Sequence, residues 1–249
     1  MEKKSCIGQQ RHKDPLMNIP SIEFLGVVIL WPVTVLSNLF LAVLCAFLCR
    51  QMYRAESPAA AIARNSYWAR FFLFLAIATL AGAIKHGFHH YPGVLYGSAV
   101  LVSCLASGVA TTCAQLATVE TFVLRKNTRF SLRLAIYLQL AVFMVIGTAA
   151  DGFLVATANS AMGLIPVLLA NIVNWRFAYA GSGWIAAGLL LSFFTGLIYV
   201  FQVSIGPWFT HLDISHILMM VSLVLIARGI NQHPPTHCFL QRKKLAEIN

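Results

Sequence analysis

Two clusters of imidazoles and carboxylates stand out in a chain otherwise short of groups that can do chemistry. The first is Lys85-His86-Gly87-Phe88-His89-His90-Tyr91, and the second is Thr210-His211-Leu212-Asp213-Ile214-Ser215-His216. His86 and His90 are four apart and share a helix face, as Asp213 and His216 nearly do at a spacing of three. Imidazoles from two helices, with a carboxylate or water, suit a tetrahedral Zn²⁺ with one open position. Such a metal lowers the pKa of its bound water and polarises a carbonyl, which is the chemistry of amide and ester hydrolysis. Asp213, or Asp151 in Ala150-Asp151-Gly152, would act as general base or orient a ligating imidazole.

Each residue also has a plainer reading. Thr210-x-x-Asp213 is the spacing of a capping box that opens a helix, and Asp151 before glycine suits a turn. His89, His90 and Tyr91 fall where headgroups begin, the usual place for interfacial anchors, which leaves His89 and His90 as accessory residues. His211 is about 140° around a helix from His216, so both reach one metal only if the helix begins after His211. His86 and His216 lie deepest and are the strongest candidates. His12, His233 and His237 fall in polar tails.

The elements that must position these residues are membrane helices. The chain is 59% hydrophobic and only 10% charged, whereas globular proteins carry roughly a quarter charged residues. Its apolar residues come in runs near the ~20 helical residues that a bilayer core requires. The runs predict an all-α bundle of seven transmembrane helices, at about 24–49, 68–90, 94–123, 132–150, 153–175, 184–202 and 213–228. The first is interrupted by Pro32 and Asn38. Residues 1–19 and 231–249 read as polar tails flanking a membrane domain over 20–230, and no signal peptide fits the first run.

Most of the 18 Lys and Arg residues fall on one side of seven alternating spans: Arg50, Arg54, Arg64 and Arg70, then Arg125, Lys126, Arg129 and Arg133, then Arg176, then Arg228 and the C-terminal tail. By the positive-inside rule that side is cytoplasmic, which places the N-terminus outside and the C-terminus in the cytoplasm, although the N-terminal tail carries Lys3, Lys4, Arg11 and Lys13. The net charge of +10 therefore points to anionic headgroups at the basic loops, not to nucleic acid. The same alternation brings both histidine clusters and Asp151 to the opposite rim, whichever face is outside.

Other polar residues carry less. Glu120 is expected to pair with Arg125 near the cytoplasmic end of the third span. Ala99, Ser103, Ser107, Ala110 and Ala114 form a small-residue stripe that close helix packing explains. Asn159, Asn171 and Asn174 fit either a cavity wall or interhelical bonds. Cys45, Cys49, Cys104 and Cys113 lie within apolar runs and read as small buried residues rather than as a disulfide framework.

Seven spans, a histidine ending the second and a histidine cluster opening the seventh resemble the alkaline ceramidase and PAQR receptor superfamily. The Phe209 to His216 stretch and the Lys85-His86-Gly87-Phe88 turn look most similar to an uncharacterised bacterial seven-span group associated with it. The resemblance implies zinc held by three histidines, with His86 from the second span and His216 and His211 from the seventh, and hydrolysis of a lipid amide or ester. The chain departs from that pattern in three places. Its seventh-span histidines are five apart instead of four, Gly82 stands where a serine is expected, and the third span carries no aspartate.

Three functions follow as expectations. The first is a membrane-embedded zinc hydrolase acting on a lipid. The second is a seven-span receptor or sensor that binds a lipid or small ligand without turnover. The third is a haem b electron-transfer protein with His86 and His216 as axial ligands. A transporter is less favoured, with few in-membrane carboxylates and no internal repeat. Oligomeric state and substrate identity are not readable.

Overall fold

The computed structural model describes residues 20–54, 59–91, 93–149 and 152–232. It has seven helices long and apolar enough to cross a membrane: α1 (Pro32–Arg54), α2 (Ala59–Gly87), α3 (Val94–Phe122), α4 (Lys126–Ala149), α5 (Gly152–Arg176), α6 (Ser182–Val200) and α7 (His211–Gln232). The chain is an all-α, multi-pass integral membrane protein.

The first expected boundary is wrong, and the reason is local. Residues that read as the start of the first span form an antiparallel hairpin, β1 (Ser21–Phe24) and β2 (Val27–Leu30), with Ser21 opposite Leu30 and Phe24 opposite Val27. Leu25 and Gly26 both take positive φ, 52° and 76°, as a two-residue hairpin turn requires. Val27, Val28 and Ile29 then supply the β-branched run that suits a strand. Pro32 does not interrupt α1. It is the first helical residue, where its missing N–H costs nothing.

Packing closes a ring in the order α1, α2, α3, α5, α6, α7 and back to α1, with α4 outside it against α3 and α5. The core between them is dense with Cys45, Met52, Trp68, Phe72, Ile185, Leu223 and Ile226. Helices α6 and α7 approach closely at Gly188, where an added Cβ would lie 2.7 Å from the Ser222 carbonyl oxygen. The Ser222 hydroxyl donates to the Gly188 carbonyl at 2.8 Å across the same contact. Such backbone approach is how membrane helices associate without a hydrophobic driving force between them.

Several polar residues find partners that spacing did not reveal. Glu120 pairs with Arg129 at 3.3 Å and with Arg133, both on α4, instead of Arg125. The turn at 123–125 folds α4 back along α3, so residues one and two turns into α4 face Glu120. Gln115 donates to Gln139 at 3.0 Å and Gln139 to Asn159 at 3.1 Å, an amide ladder tying α4 to α3 and α5. Asn171 and Asn174 instead donate to carbonyls of their own helix. Cys45, Cys49, Cys104 and Cys113 are buried free thiols.

Candidate functional site

The N-terminus of α7 is built by a reciprocal cap. Asp213 and Ile214 donate their backbone N–H groups to the Thr210 carbonyl at 3.0 and 3.2 Å. In return, Asp213 Oδ2 accepts from the Thr210 N–H at 2.7 Å and from its hydroxyl at 2.9 Å. The bond from the Thr210 N–H to Asp213 is one half of the capping box that the spacing suggests, while the Thr210 hydroxyl turns to the carboxylate instead of the Asp213 N–H. Asp213 does more than cap, however. Its Oδ1 accepts from the Thr34 hydroxyl of α1 at 2.8 Å, and the residue is 1% exposed. A carboxylate this deep is stable only when its lone pairs are filled, and three donors fill them.

One turn further along α7, His216 Nδ1 lies 2.8 Å from the Ser37 hydroxyl, again on α1. The same hydroxyl also lies within hydrogen-bond reach of the Thr34 carbonyl, at 3.1 Å. Asn38 donates to the same Thr34 carbonyl at 3.0 Å. Thr34, Ser37 and Asn38 thus form the α1 wall of the rim site. Sequence reading noted only Asn38 among them, as an interruption. The legible signal was polar residues at i, i+3 and i+4 in an otherwise apolar span, one helix face turned toward a partner.

His86, near the end of α2, stands with its ring 6.3 Å from that of Trp31, edge to face. It lies within electrostatic range of Lys85, His216, His89 and Asp213. Gly82, one turn earlier, is where α1 and α2 meet, since a Cβ there would sit 3.1 Å from Asn38 Oδ1. A serine at that position would crowd the α1 wall.

The structure therefore leaves His86 within electrostatic range of His216 and Asp213, which lie one turn apart on α7. It does not bring His211 to them. Helix α7 begins at His211, not after it, so His211 and His216 diverge around the axis. The His211 N–H donates to the Ser204 hydroxyl at 3.0 Å, and its ring packs edge-on to Tyr199 at 5.3 Å. His89 packs against Trp31 and Tyr96, and His90 against Tyr91, all at the outer edge of the bundle. The Tyr91 hydroxyl accepts from the Val28 N–H of the hairpin at 3.1 Å. Asp151 lies outside the described residues. Among the described residues no three His, Cys, Asp or Glu side chains are grouped to hold a metal ion. The three-histidine zinc set does not fit this arrangement, because a catalytic zinc takes three protein ligands.

Beside the histidines, a cavity of about 360 Å³ lies between α2, α3, α5, α6 and α7. Its walls are apolar at Val100, Leu164, Phe193 and Met219 and carry hydroxyls at Ser103, Ser107, Thr157, Ser160, Ser192 and Thr195, with Lys85 at the rim. The volume is within the range of small-ligand sites, which are mostly apolar with a few convergent polar groups. Only part of the small-residue stripe on α3 is packing: Ala110 and Ala114 are core, whereas Ser103 and Ser107 face this cavity. The cavity and the rim site adjoin. Lys85 precedes His86, and Ser215, beside His216, donates to the carbonyl of the cavity residue Thr195 at 3.3 Å.

No curated protein and no solved structure matches the chain. A family model does match, over residues 33–234, from the first turn of α1 to just past α7 and without the hairpin. By that match the chain belongs to DUF6962, a family of unknown function.

Proposed function

We propose that this chain is a seven-span receptor or sensor that binds a lipid or small amphiphile in its central cavity without turnover. The observation that carries the reading is the cavity itself, apolar with a ladder of hydroxyls and a cationic rim at Lys85. A lipid chain suits the apolar depth and its polar end suits the rim. His86 follows the cavity residue Lys85 on α2, so occupation of the cavity would alter its surroundings. Seven alternating spans put the C-terminal ends of α1, α5 and α7, with Arg50, Arg54, Arg176 and Arg228, on one side, which supports a cytoplasmic C-terminus and an outward-facing rim.

A second reading, the zinc-dependent lipid hydrolase, has one observation in its favour. The His216 ring is held at Nδ1 by the Ser37 hydroxyl, and ligating histidines are usually oriented through the ring nitrogen that does not meet the metal. Its third ligand is the difficulty, since the His211 ring packs against Tyr199 and Ser204. The purified protein in vesicles, incubated with a mixture of lipid amides and esters, separates the two readings. Intact lipids and substoichiometric metal are expected. Release of free fatty acid with about one zinc per chain would overturn the receptor reading in favour of the hydrolase, and a strong Soret band would move it to haem.

A further inference from the structure

At the other end of the bundle from the rim site, a groove of about 460 Å³ lies between the ends of α1 and α7, lined by Phe47, Arg50, Gln51, Arg54 and Asn231. We infer that this groove binds one anionic phospholipid, with its phosphate between Arg50 and Arg54 and an acyl chain along α1. The inference is independent of the cavity and of what the cavity binds.

The α1 sequence supplies both halves of such a site on one face. Phe40, Val43 and Phe47 are exposed, and their spacing of three and four places them on a single stripe of the helix. Arg50 and Arg54 are also exposed and continue that stripe at the same spacing. In a membrane protein such a stripe faces lipid chains, so the two guanidinium groups stand where a chain ends and a headgroup begins. From Phe40 to Arg50 the helix rises about 15 Å, roughly half of the ~30 Å hydrocarbon core and therefore the depth of one leaflet. The aromatic residues at this end agree with that depth. Tyr53, Trp175 and Trp184 are all exposed there, and Trp and Tyr collect at headgroup level.

Charge complementarity selects the occupant. Two guanidinium groups one turn apart offer forked donors that match phosphate oxygens, and Gln51 and Asn231 add neutral amide groups to the wall. A zwitterionic headgroup brings its own ammonium toward the second arginine, so a net anionic headgroup is favoured. The apolar floor at Phe47, 62% exposed, distinguishes a lipid from a free phosphate, which gains nothing from it. Basic pockets of this kind on the cytoplasmic side of membrane proteins hold anionic headgroups.

The test is native mass spectrometry of the full chain in detergent with equimolar phosphatidylglycerol and phosphatidylcholine. Wild type should retain one phosphatidylglycerol at lipid concentrations where phosphatidylcholine is not retained. Arg50→Gln with Arg54→Gln should weaken that binding roughly thirtyfold, and Arg176→Gln, a basic residue at the same end, should leave it unchanged. Equal retention of the two lipids by wild type overturns the inference whether or not the double variant folds. So does an equal loss in the Arg176→Gln control, which would mean diffuse attraction to the basic side. Displacement of phosphatidylglycerol by millimolar inorganic phosphate would show a free-anion site and overturn the lipid assignment.

Discussion

Asp213 accepts from Thr34, from the Thr210 N–H and from the Thr210 hydroxyl, so its removal strands a buried donor on α1 and two half-buried donors at the start of α7. Each stranded group costs about 1–3 kcal/mol, and Asp213→Ala should lower the melting temperature in detergent far more than Thr210→Ala, which gives up a cap worth about 1 kcal/mol. Equal shifts would mean that Asp213 only caps and that its bond to α1 contributes nothing. Substitutions at His86 and His216 should leave a folded protein, and His237→Ala in the tail should change neither folding nor ligand retention. At this scale the sequence was half legible. Thr210-x-x-Asp213 announced the cap, and the position of His216 inside an apolar run announced that something must face it. The identity of that partner could not be read. Ser37 and Thr34 lie far from α7 in the chain, and only the closing of the ring by α1 against α7 brings them to Asp213 and His216. The direction of His211 depends on the first helical residue of α7, and boundaries are the least certain part of any reading from sequence.

Among the elements, glycines separate contact from open space. Gly188→Ala places a Cβ against the Ser222 carbonyl and Ile226 and should cost roughly 1–3 kcal/mol as α6 and α7 are forced apart. Gly97→Ala meets nothing within 4 Å and should be neutral or slightly stabilising, by up to about 1 kcal/mol. Thermal unfolding of the two variants side by side checks both, and a Gly188→Ala protein as stable as wild type would contradict the close α6–α7 packing. Helix number was legible because apolar runs broken by polar turns are a strong signal. The hairpin was not, because Ile22, Phe24, Val27, Val28 and Ile29 are as apolar as a span and merge with α1. Only the Leu25-Gly26 turn and Pro32 marked the break. The Glu120 pairs were misassigned for a related reason: the nearest arginine in sequence sits in the turn, whereas the fold-back presents Arg129 and Arg133.

For the whole molecule, composition already excluded a soluble domain, and the basic loops proposed an orientation. A C-terminal epitope tag should be reached by antibody only after the membrane is permeabilised, and labelling of intact cells would reverse the topology. The cavity was not legible in the sequence, since its hydroxyls come from α3, α5 and α6 and each reads alone as ordinary small-residue packing. It is also the centre of the functional proposal. The most direct measurement is mass spectrometry of the organic extract from detergent-purified protein, wild type beside Ser160→Trp, which fills the space between α3, α5 and α6 with an indole. A single amphiphile recovered near one per chain from wild type and lost from a folded Ser160→Trp variant is the predicted result. The same amphiphile at the same stoichiometry in both, or none in wild type, would contradict a ligand-binding cavity.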